Sequence, residues 1–357
     1  MNSTLITDDI LALICALVIS TILTPIIREL LIRWEVYDKP DFRKMHLRPI
    51  PSMGGLAIYT GFIVSVFMFV KMNKFVSSMI MCATLLVILG IIDDFYILST
   101  PGKLMGQIIV AVLTIFSGVK IEFVSSFSLF GEKNMIYLQY LSVPITIVWI
   151  LAVINSVNLI DGLDGLAGGI TTIVALTLAV VGYLREPELL SGEKIHYVIR
   201  LALILTGATI GFLWFNFHPA SIFMGDTGSM FLGYVLAVIS IMGAMKGATM
   251  VALLVPLLAL GLPLFDSILA VLRRKVDGKP IFSPDKEHFH HQFLDIGLSH
   301  RQVVLLFYLI STCLGGWAIY ISTIKISSAI FVFAFLSFLF FFGAWRVRKV
   351  RKKVLKK

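Results

Sequence analysis

The chain has 357 residues, of which 58% are hydrophobic and only 14% are charged, and its mean hydropathy is +0.94. Soluble proteins carry roughly a quarter charged residues, so this composition excludes a soluble enzyme with a single membrane tether, and it also excludes a disordered chain. The bilayer is therefore expected to be the main solvent. The net charge is +9, and the basic residues lie between apolar segments and at the C-terminus. This placement indicates anionic lipid or an anionic substrate as a partner, and no nucleic acid.

Long apolar segments recur along the whole chain. Because a helix needs about 20 apolar residues to cross the hydrocarbon core, we predict an all-α integral membrane protein with about eleven transmembrane helices. It forms one polytopic domain over residues 1–357, with a basic tail at 346–357. Two prolines and a glycine predict a kink in the ninth span. The predicted spans lie near 9–28, 53–71, 75–92, 103–119, 141–157, 166–184, 197–215, 229–246, 248–272, 302–322 and 327–345.

An odd number of spans places the two termini on opposite sides of the membrane. The loops that share a side with the C-terminus carry most of the basic residues. By the positive-inside rule, that side is the cytoplasm and the N-terminus lies outside. We therefore expect a multi-pass protein of the cytoplasmic membrane. These loops cover 29–52, 93–102, 158–165, 216–228 and 273–301.

Six carboxylates lie at span ends on the predicted cytoplasmic side. Any one of them could cap a helix or reach the interface, but an acid near membrane depth is costly, and like charges in one cleft repel unless a cation neutralises them. Oxygen ligands favour a hard divalent cation, Mg²⁺ with Mn²⁺ as an alternative. A transporter or lipid flippase remains a competing hypothesis, but its acids should lie near span centres. The six are Asp93, Asp94, Asp161, Asp164, Asp226 and Asp266.

Two segments combine carboxylates with glycines. In the first, Asp161 and Asp164 are three residues apart and would share one face of a helical turn. In the second, glycines flank Asp226 just before a span, where the acid could hold a metal or cap the helix. Phe223 could stack on a base or serve as an interfacial aromatic residue. N-capping together with small-residue helix packing is the alternative for the first segment.

Two further loops are cationic. The loop 273–301 contains His288, His290 and His291 among several lysines and arginines. A zinc site is disfavoured because no cysteine or further ligand has suitable spacing, so phosphate binding is the better interpretation. The first inside loop contains His46 and is basic and rich in proline. Carboxylates, a divalent metal and cationic loops on one face together indicate phosphoryl transfer to a lipid substrate.

The chain resembles the polyprenyl-phosphate N-acetylhexosamine-1-phosphate transferases, glycosyltransferase family 4, which include MraY and WecA. The resemblance covers five blocks in the family's order, over about two thirds of the chain. It implies transfer of a sugar-1-phosphate from a UDP-sugar to undecaprenyl phosphate, with release of UMP and a requirement for Mg²⁺. The blocks are residues 38–55, 93–94, 155–169, 216–228 and 273–291.

The resemblance also implies roles for residues. Asp226 matches the Mg²⁺ ligand, Asp93 the base that deprotonates the lipid phosphate, Asp94 its supporting acid, and Lys103 the lysine that neutralises phosphate. Phe223 matches the ring that stacks on uracil. The remaining matched residues are expected to bind substrate: His46, Asn158, Asp161, Gly162, Leu163, Asp164, Asn216, His288, His290 and His291.

The branch follows from the histidine motif. Phe289 interrupts the three consecutive histidines of MraY-type enzymes, as in the WecA and TagO branch, which implies UDP-N-acetylglucosamine as the donor. UDP-MurNAc-pentapeptide and UDP-GalNAc remain alternatives, and the oligomeric state stays open, a homodimer included. The aspartate pair lacks the third acid of a DDxxD pattern, which argues against a second metal at that block.

Overall fold

The computed structural model describes residues 3–38, 49–125, 135–189, 193–244 and 289–323, together with the isolated positions 253, 257, 260, 261, 264, 274 and 275. These ranges form ten α-helices, one 3₁₀ turn and two antiparallel two-stranded sheets. The helices are α1 Ser3–Arg33, α2 Gly55–Phe69, α3 Lys74–Tyr96, α4 Thr100–Phe116, α5 Ser142–Ile160, α6 Leu166–Leu189, α7 Glu193–Asn216, α8 Gly225–Ala244, α9 Phe289–Asp295 and α10 His300–Thr323. The strands are β1 Tyr37–Asp38, β2 Ile50–Pro51, β3 Phe123–Ser125 and β4 Met135–Tyr137.

The predicted helical membrane protein is confirmed in its main feature. Seven helices in the described ranges are long and apolar enough to cross a membrane: α1, α3, α5, α6, α7, α8 and α10. The predicted spans 53–71 and 103–119 correspond to the shorter apolar helices α2 and α4. Most of the predicted span 248–272, including Asp266, lies outside the described residues, as do the whole span 327–345 and the basic tail, and the kink stays a prediction. The total of about eleven spans and the orientation of the chain therefore stay predictions.

The two small sheets were not predicted. β1 pairs with β2 in the first loop, and β3 pairs with β4 between α4 and α5. Their strands have two or three residues each. Such short strands carry too little alternation to be distinguished from loops.

Helix α8 lies at the centre of the described bundle, against α3 and α5. Small residues let it approach its neighbours closely. A Cβ built on Gly90 of α3 would lie 2.5 Å from Cα of Thr227, and one on Gly55 of α2 would meet the backbone of Gly228. The first turn of α8 is therefore fixed by backbone contact on two sides.

Successive helices from α1 to α8 run alternately up and down. Helices α3, α5 and α7 consequently end where α4, α6 and α8 begin, and α10 also begins at this end. The opposite end is closed by a buried ionic cluster: Arg200 Nε donates to Asp9 Oδ1 at 2.6 Å, and Tyr183 Oη donates to Asp9 Oδ2 at 2.7 Å. The two ends of the bundle thus differ in chemistry, because the carboxylate-rich loops all meet at the first.

Candidate active site

The end of α3 is bound to the beginning of α8 through Asp94. Its Oδ1 accepts from the backbone N–H of Asp226 at 3.0 Å, and its Oδ2 accepts from the Thr227 hydroxyl at 2.7 Å and the Thr227 N–H at 3.2 Å. A carboxylate here satisfies free N–H groups of the first helical turn. Gly225 has φ +73°, and a Cβ there would lie 2.6 Å from Asp94 Oδ2. Asp94 thus positions Asp226.

Lys103 joins two carboxylates at the centre of the site. Its Nζ lies 3.1 Å from Asp226 Oδ2 and contacts Asp93 Oδ2. The other oxygen of Asp93 accepts from the backbone N–H of Leu98 at 2.7 Å, where the chain turns from α3 into α4. Both carboxylates and the ammonium group are thus held in one cluster.

Asn158, in the last turn of α5, completes this cluster. Its Nδ2 donates to Asp226 Oδ1 and, at 2.8 Å, to the hydroxyl of Ser229. Asp93, Lys103, Asn158 and Asp226 come from four different helices. The structure therefore brings together residues from three separate sequence blocks and Lys103, which lies outside the blocks.

Asp161 lies in the turn between α5 and α6, where its backbone N–H donates to the carbonyl of Asn158 at 3.3 Å, and its carboxylate makes no hydrogen bond to the residues that the structure describes. Burial raises the pKa of the Asp161 carboxyl well above its ordinary value, and the charges of Asp226, Asp94 and Asp164 raise it further. Asp161 therefore adds a carboxylate in this turn to those around Lys103. Gly162 is exposed and Leu163 is buried in the same turn.

Asp164 faces the loop between α7 and α8. Its Oδ2 lies 2.7 Å from Nδ1 of His218 and accepts from the N–H of Ala220 at 3.1 Å. Its other oxygen makes no hydrogen bond within the described ranges. Asp161 and Asp164 lie in one non-helical turn, so the prediction that they share a face of a helical turn stays a prediction, and of the two carboxylates only that of Asp164 is hydrogen-bonded within the described ranges.

Asn216 is 3% exposed and binds backbone with both ends of its amide. Its Oδ1 accepts from the N–H of Gly165 at 3.1 Å, and its Nδ2 donates to the carbonyl of Ile222 at 2.9 Å. Gly165 has φ +80°, which favours glycine. In this arrangement Asn216 ties the α5–α6 turn to the α7–α8 loop, so it positions the site rather than presenting its amide to a ligand.

Phe223 lies in an extended segment before α8. Its N–H donates to the carbonyl of Pro51 and its carbonyl accepts from the N–H of Gly54, both at 2.8 Å. The loop before α2 thus fixes the backbone of the residue expected to stack on uracil. Its ring is partly exposed.

The histidine predictions fall largely outside the described residues. This holds for His46 and His288. His290 and His291 lie in the first turn of α9, and their side chains are not among those described. Their proposed role near the diphosphate stays a prediction.

Sequence reasoning missed several residues that hold the site together. Gln107 of α4 is 1% exposed, and its Oε1 accepts from Asn155 Nδ2 at 2.8 Å. Thr227 and Ser229 bind Asp94 and Asn158, and His218 binds Asp164. The position of a polar residue within an apolar helix was the available signal for Gln107, but its partner lies 48 residues away.

The donors around Asp226 fit a hard divalent cation. Asp226 and Asp93 lie within hydrogen-bonding reach of each other, and Asp161 adds a further carboxylate. Among the described residues, the ion pairs to Asp93 and Asp226 come from Lys103 alone. Oxygen-rich sites with surplus negative charge are those that Mg²⁺ or Mn²⁺ occupies. Asp226 would hold such an ion, with Asn158 beside it.

All these acids lie at helix ends rather than at span centres, unlike those expected of a transporter.

A model of the family described as glycosyl transferase family 4 matches residues 76–244. A Bacillus subtilis protein named as a probable undecaprenyl-phosphate N-acetylglucosaminyl 1-phosphate transferase is 39% identical, covering 90% of this chain and 85% of its own length. A Mycobacterium tuberculosis protein named decaprenyl-phosphate N-acetylglucosaminephosphotransferase is 38% identical, covering 82% of this chain and 78% of its own length. A Halalkalibacterium halodurans protein named phospho-N-acetylmuramoyl-pentapeptide-transferase is 29% identical, covering 87% of this chain and 95% of its own length. This chain therefore belongs to glycosyl transferase family 4.

Proposed function

We propose that the protein transfers N-acetylglucosamine-1-phosphate from UDP-N-acetylglucosamine to undecaprenyl phosphate, giving undecaprenyl-diphosphate-N-acetylglucosamine and UMP. The observation that carries the proposal is the junction at which Lys103 joins Asp93 and Asp226 at one end of the helical bundle. A lipid phosphate from the bilayer and a soluble nucleotide can both reach such an end. The product would begin a cell-envelope glycopolymer.

Lys103, Asp93 and Asp226, together with Asp94, each have a role in this reaction. An oxygen of the lipid phosphate attacks the β-phosphorus of the donor, and the bond from that phosphorus to the oxygen bridging the two phosphates breaks, releasing UMP. Lys103 neutralises phosphate charge, and Asp93 accepts a proton from the lipid phosphate. Asp94 holds the first turn of α8 and so keeps Asp226 in place. Mg²⁺, when bound by Asp226, would neutralise charge on the diphosphate.

The nucleoside is proposed to lie against the α5–α6 turn and the loop before α8. Asp161 and the free oxygen of Asp164 offer hydrogen-bond acceptors there, and the Phe223 ring offers a stacking surface. His46, His288, His290 and His291 are proposed to contact the phosphates. This assignment gives each of the five motif blocks a part of one substrate pair.

We further propose that the site faces the cytoplasm and that the N-terminus lies outside. The loops at the site end are the basic ones, as the positive-inside rule requires of cytoplasmic loops. UDP-sugars are cytoplasmic metabolites, which is consistent with this orientation. The protein would then be a multi-pass enzyme of the cytoplasmic membrane.

The donor sugar is tested by direct comparison. Purified protein and undecaprenyl phosphate are incubated with UDP-GlcNAc, UDP-GalNAc or UDP-MurNAc-pentapeptide, and UMP and lipid-linked product are measured. We expect UDP-GlcNAc to be used best, since the relatives at 39% and 38% identity bear N-acetylglucosamine names. The relative at 29% identity makes the muramoyl-pentapeptide donor the second candidate. Faster turnover of UDP-MurNAc-pentapeptide would make it the assigned donor, and no turnover of any donor would overturn the proposed function.

A further inference from the structure

Three side chains contact one another behind the α5–α6 turn. Asp164 Oδ2 lies 2.7 Å from Nδ1 of His218, and the His218 ring stacks on the ring of His300 with centroids 4.2 Å apart. Because an ionised carboxylate only accepts hydrogen bonds, Nδ1 of His218 carries the shared proton. His300 is the first residue of α10, so this chain of contacts connects α10 with the turn.

The donor atoms of these residues lie within 4.8 Å of one another, a distance that also fits a metal ion. The ring geometry argues against that interpretation. The two imidazole planes are inclined by only 15°. Nitrogen lone pairs lie in the ring plane, so those of two stacked, nearly parallel rings do not converge on one ion. Asp164 Oδ2 is moreover already hydrogen-bonded to His218 and to the backbone of Ala220.

Helix α10 makes two further contacts here, one with the α7–α8 loop and one with the α5–α6 turn. Arg301 Nε donates to the carbonyl of His218 at 3.1 Å. Two turns further along, the Tyr308 hydroxyl donates to the carbonyl of Gly165. A Cβ on Gly169 would overlap the Tyr308 ring, so α10 packs directly against the start of α6. Helix α10 thus holds the end of the α5–α6 turn at Gly165 and the α7–α8 loop at His218.

We propose that His218 and His300 are positioning residues that fix the carboxylate of Asp164 for binding of the nucleotide donor. His218, which is stacked on His300, and the N–H of Ala220 occupy Oδ2 and leave Oδ1 free to accept from the ligand. A hydrogen bond from a fixed ring restricts the carboxylate to one orientation before substrate arrives. The pair touches none of the residues around Lys103, so it acts on donor binding rather than on the chemical step. This inference rests on the proposed function.

The test separates KM from kcat in four variants. His218→Ala removes the hydrogen bond, and His218→Asn retains a donor at the position of Nδ1. His300→Ala removes the stacked ring, and His300→Phe retains a ring without nitrogen. We expect His218→Ala to raise the KM for UDP-GlcNAc about tenfold, since a hydrogen bond to a charged group is lost, with kcat within about twofold. We expect His218→Asn and His300→Phe to restore KM to within about threefold of the unaltered enzyme.

The outcomes distinguish this inference from the proposed function. Failure of the unaltered enzyme to release UMP would overturn the proposed function itself. Normal activity of the unaltered enzyme with unchanged KM in both alanine variants would overturn the positioning role alone. A loss of kcat at constant KM, or Zn²⁺ inhibition that His300→Phe abolishes, would also overturn it, the latter in favour of a metal site. Should His218→Ala not fold, the two His300 variants carry the same comparison through the stacking contact.

Discussion

Lys103 is the residue on which the charge balance of the site depends. Its ammonium group lies between Asp93 and Asp226, and its side chain is 20% exposed. Ion pairs at partly buried positions are screened less than pairs on the surface. Removing the lysine would leave two neighbouring carboxylates facing each other, and it would remove the cation that neutralises phosphate.

We predict that Lys103→Ala lowers kcat at least about a hundredfold, as expected when charge stabilisation in the transition state is lost. Lys120 provides a matched control, because its Nζ pairs with Glu122 Oε1 at 3.4 Å near the opposite end of the bundle. Lys120→Ala should keep kcat within about twofold. Turnover is measured as UMP release at saturating donor and acceptor. Equal losses in both variants would contradict the role of Lys103.

Asp161 is predicted to lower the stability of the metal-free protein at neutral pH. Burial and neighbouring carboxylates raise the pKa of this group well above its ordinary value of 3.8. Below that ordinary value the carboxyl is protonated in both the folded and the unfolded state, so it affects neither. As pH rises from there through the raised pKa, the folded state must lose a proton it binds more tightly than the unfolded state does. Stability falls across this window.

Asp161→Asn removes the charge and should therefore raise the melting temperature at pH 7.5, by roughly 2–4 °C for each kcal/mol of repulsion relieved. The difference from the unaltered protein should shrink as the pH falls towards 4. Melting is followed in detergent with a chelator present. Asp164→Asn serves as the control, because that carboxylate is hydrogen-bonded to His218 and its loss should bring no gain. A lower melting temperature for Asp161→Asn at pH 7.5 would contradict the account.

At the scale of elements, the first turn of α8 carries the most constrained contacts. Gly90 of α3 packs against Thr227, the residue after Asp226, so any side chain at Gly90 would push the first turn of α8 away. We predict that Gly90→Ala costs about 1–3 kcal/mol of stability and lowers kcat. Gly316 of α10 has nothing within 4 Å of a built Cβ, which makes Gly316→Ala the matched control. Equal melting temperatures for the two variants would show that this contact does not constrain α8.

Sequence patterns predicted the helices better than their contacts. Hydropathy is a local property, so the existence and approximate positions of the seven candidate spans follow from composition, although α1 runs from Ser3 to Arg33 and is longer at both ends than the predicted span 9–28. The roles within the Asp93–Asp94 pair do not. Neighbouring residues on a helix point about 100° apart, so the two acids face different partners: Asp93 meets Lys103 and Asp94 meets α8. Which acid faces which partner depends on how α3 packs, and no local pattern contains that information.

The same limit explains why His218 was left without a role. Its motif was noted, but its partners are Asp164, 54 residues away, and His300 at the start of another helix. Asn216 is the converse case. The family resemblance implied substrate binding by Asn216, whereas its amide is used by the backbone of the two loops that it joins. Polar residues at helix ends predict a site, but only tertiary contacts separate residues that bind ligand from those that hold the loops.

At the scale of the whole molecule, the proposed orientation requires the site end to face the cytoplasm. Tyr96 at the site end is 79% exposed, and Tyr140 before α5 is 93% exposed. In a background with the three cysteines replaced, we predict that a membrane-impermeant maleimide labels Tyr140→Cys on intact spheroplasts. Tyr96→Cys should react only after the membrane is permeabilised. The reverse pattern would contradict the orientation.

The most direct test of the central claim is UMP release by the purified protein with undecaprenyl phosphate and UDP-N-acetylglucosamine. We predict release that requires both the lipid and Mg²⁺. This release is lost when Asp226, which Asp94 and Asn158 hold in place, is replaced by alanine. Lipid-dependent release that continues in Asp226→Ala, or that proceeds unchanged with a chelator, would contradict it.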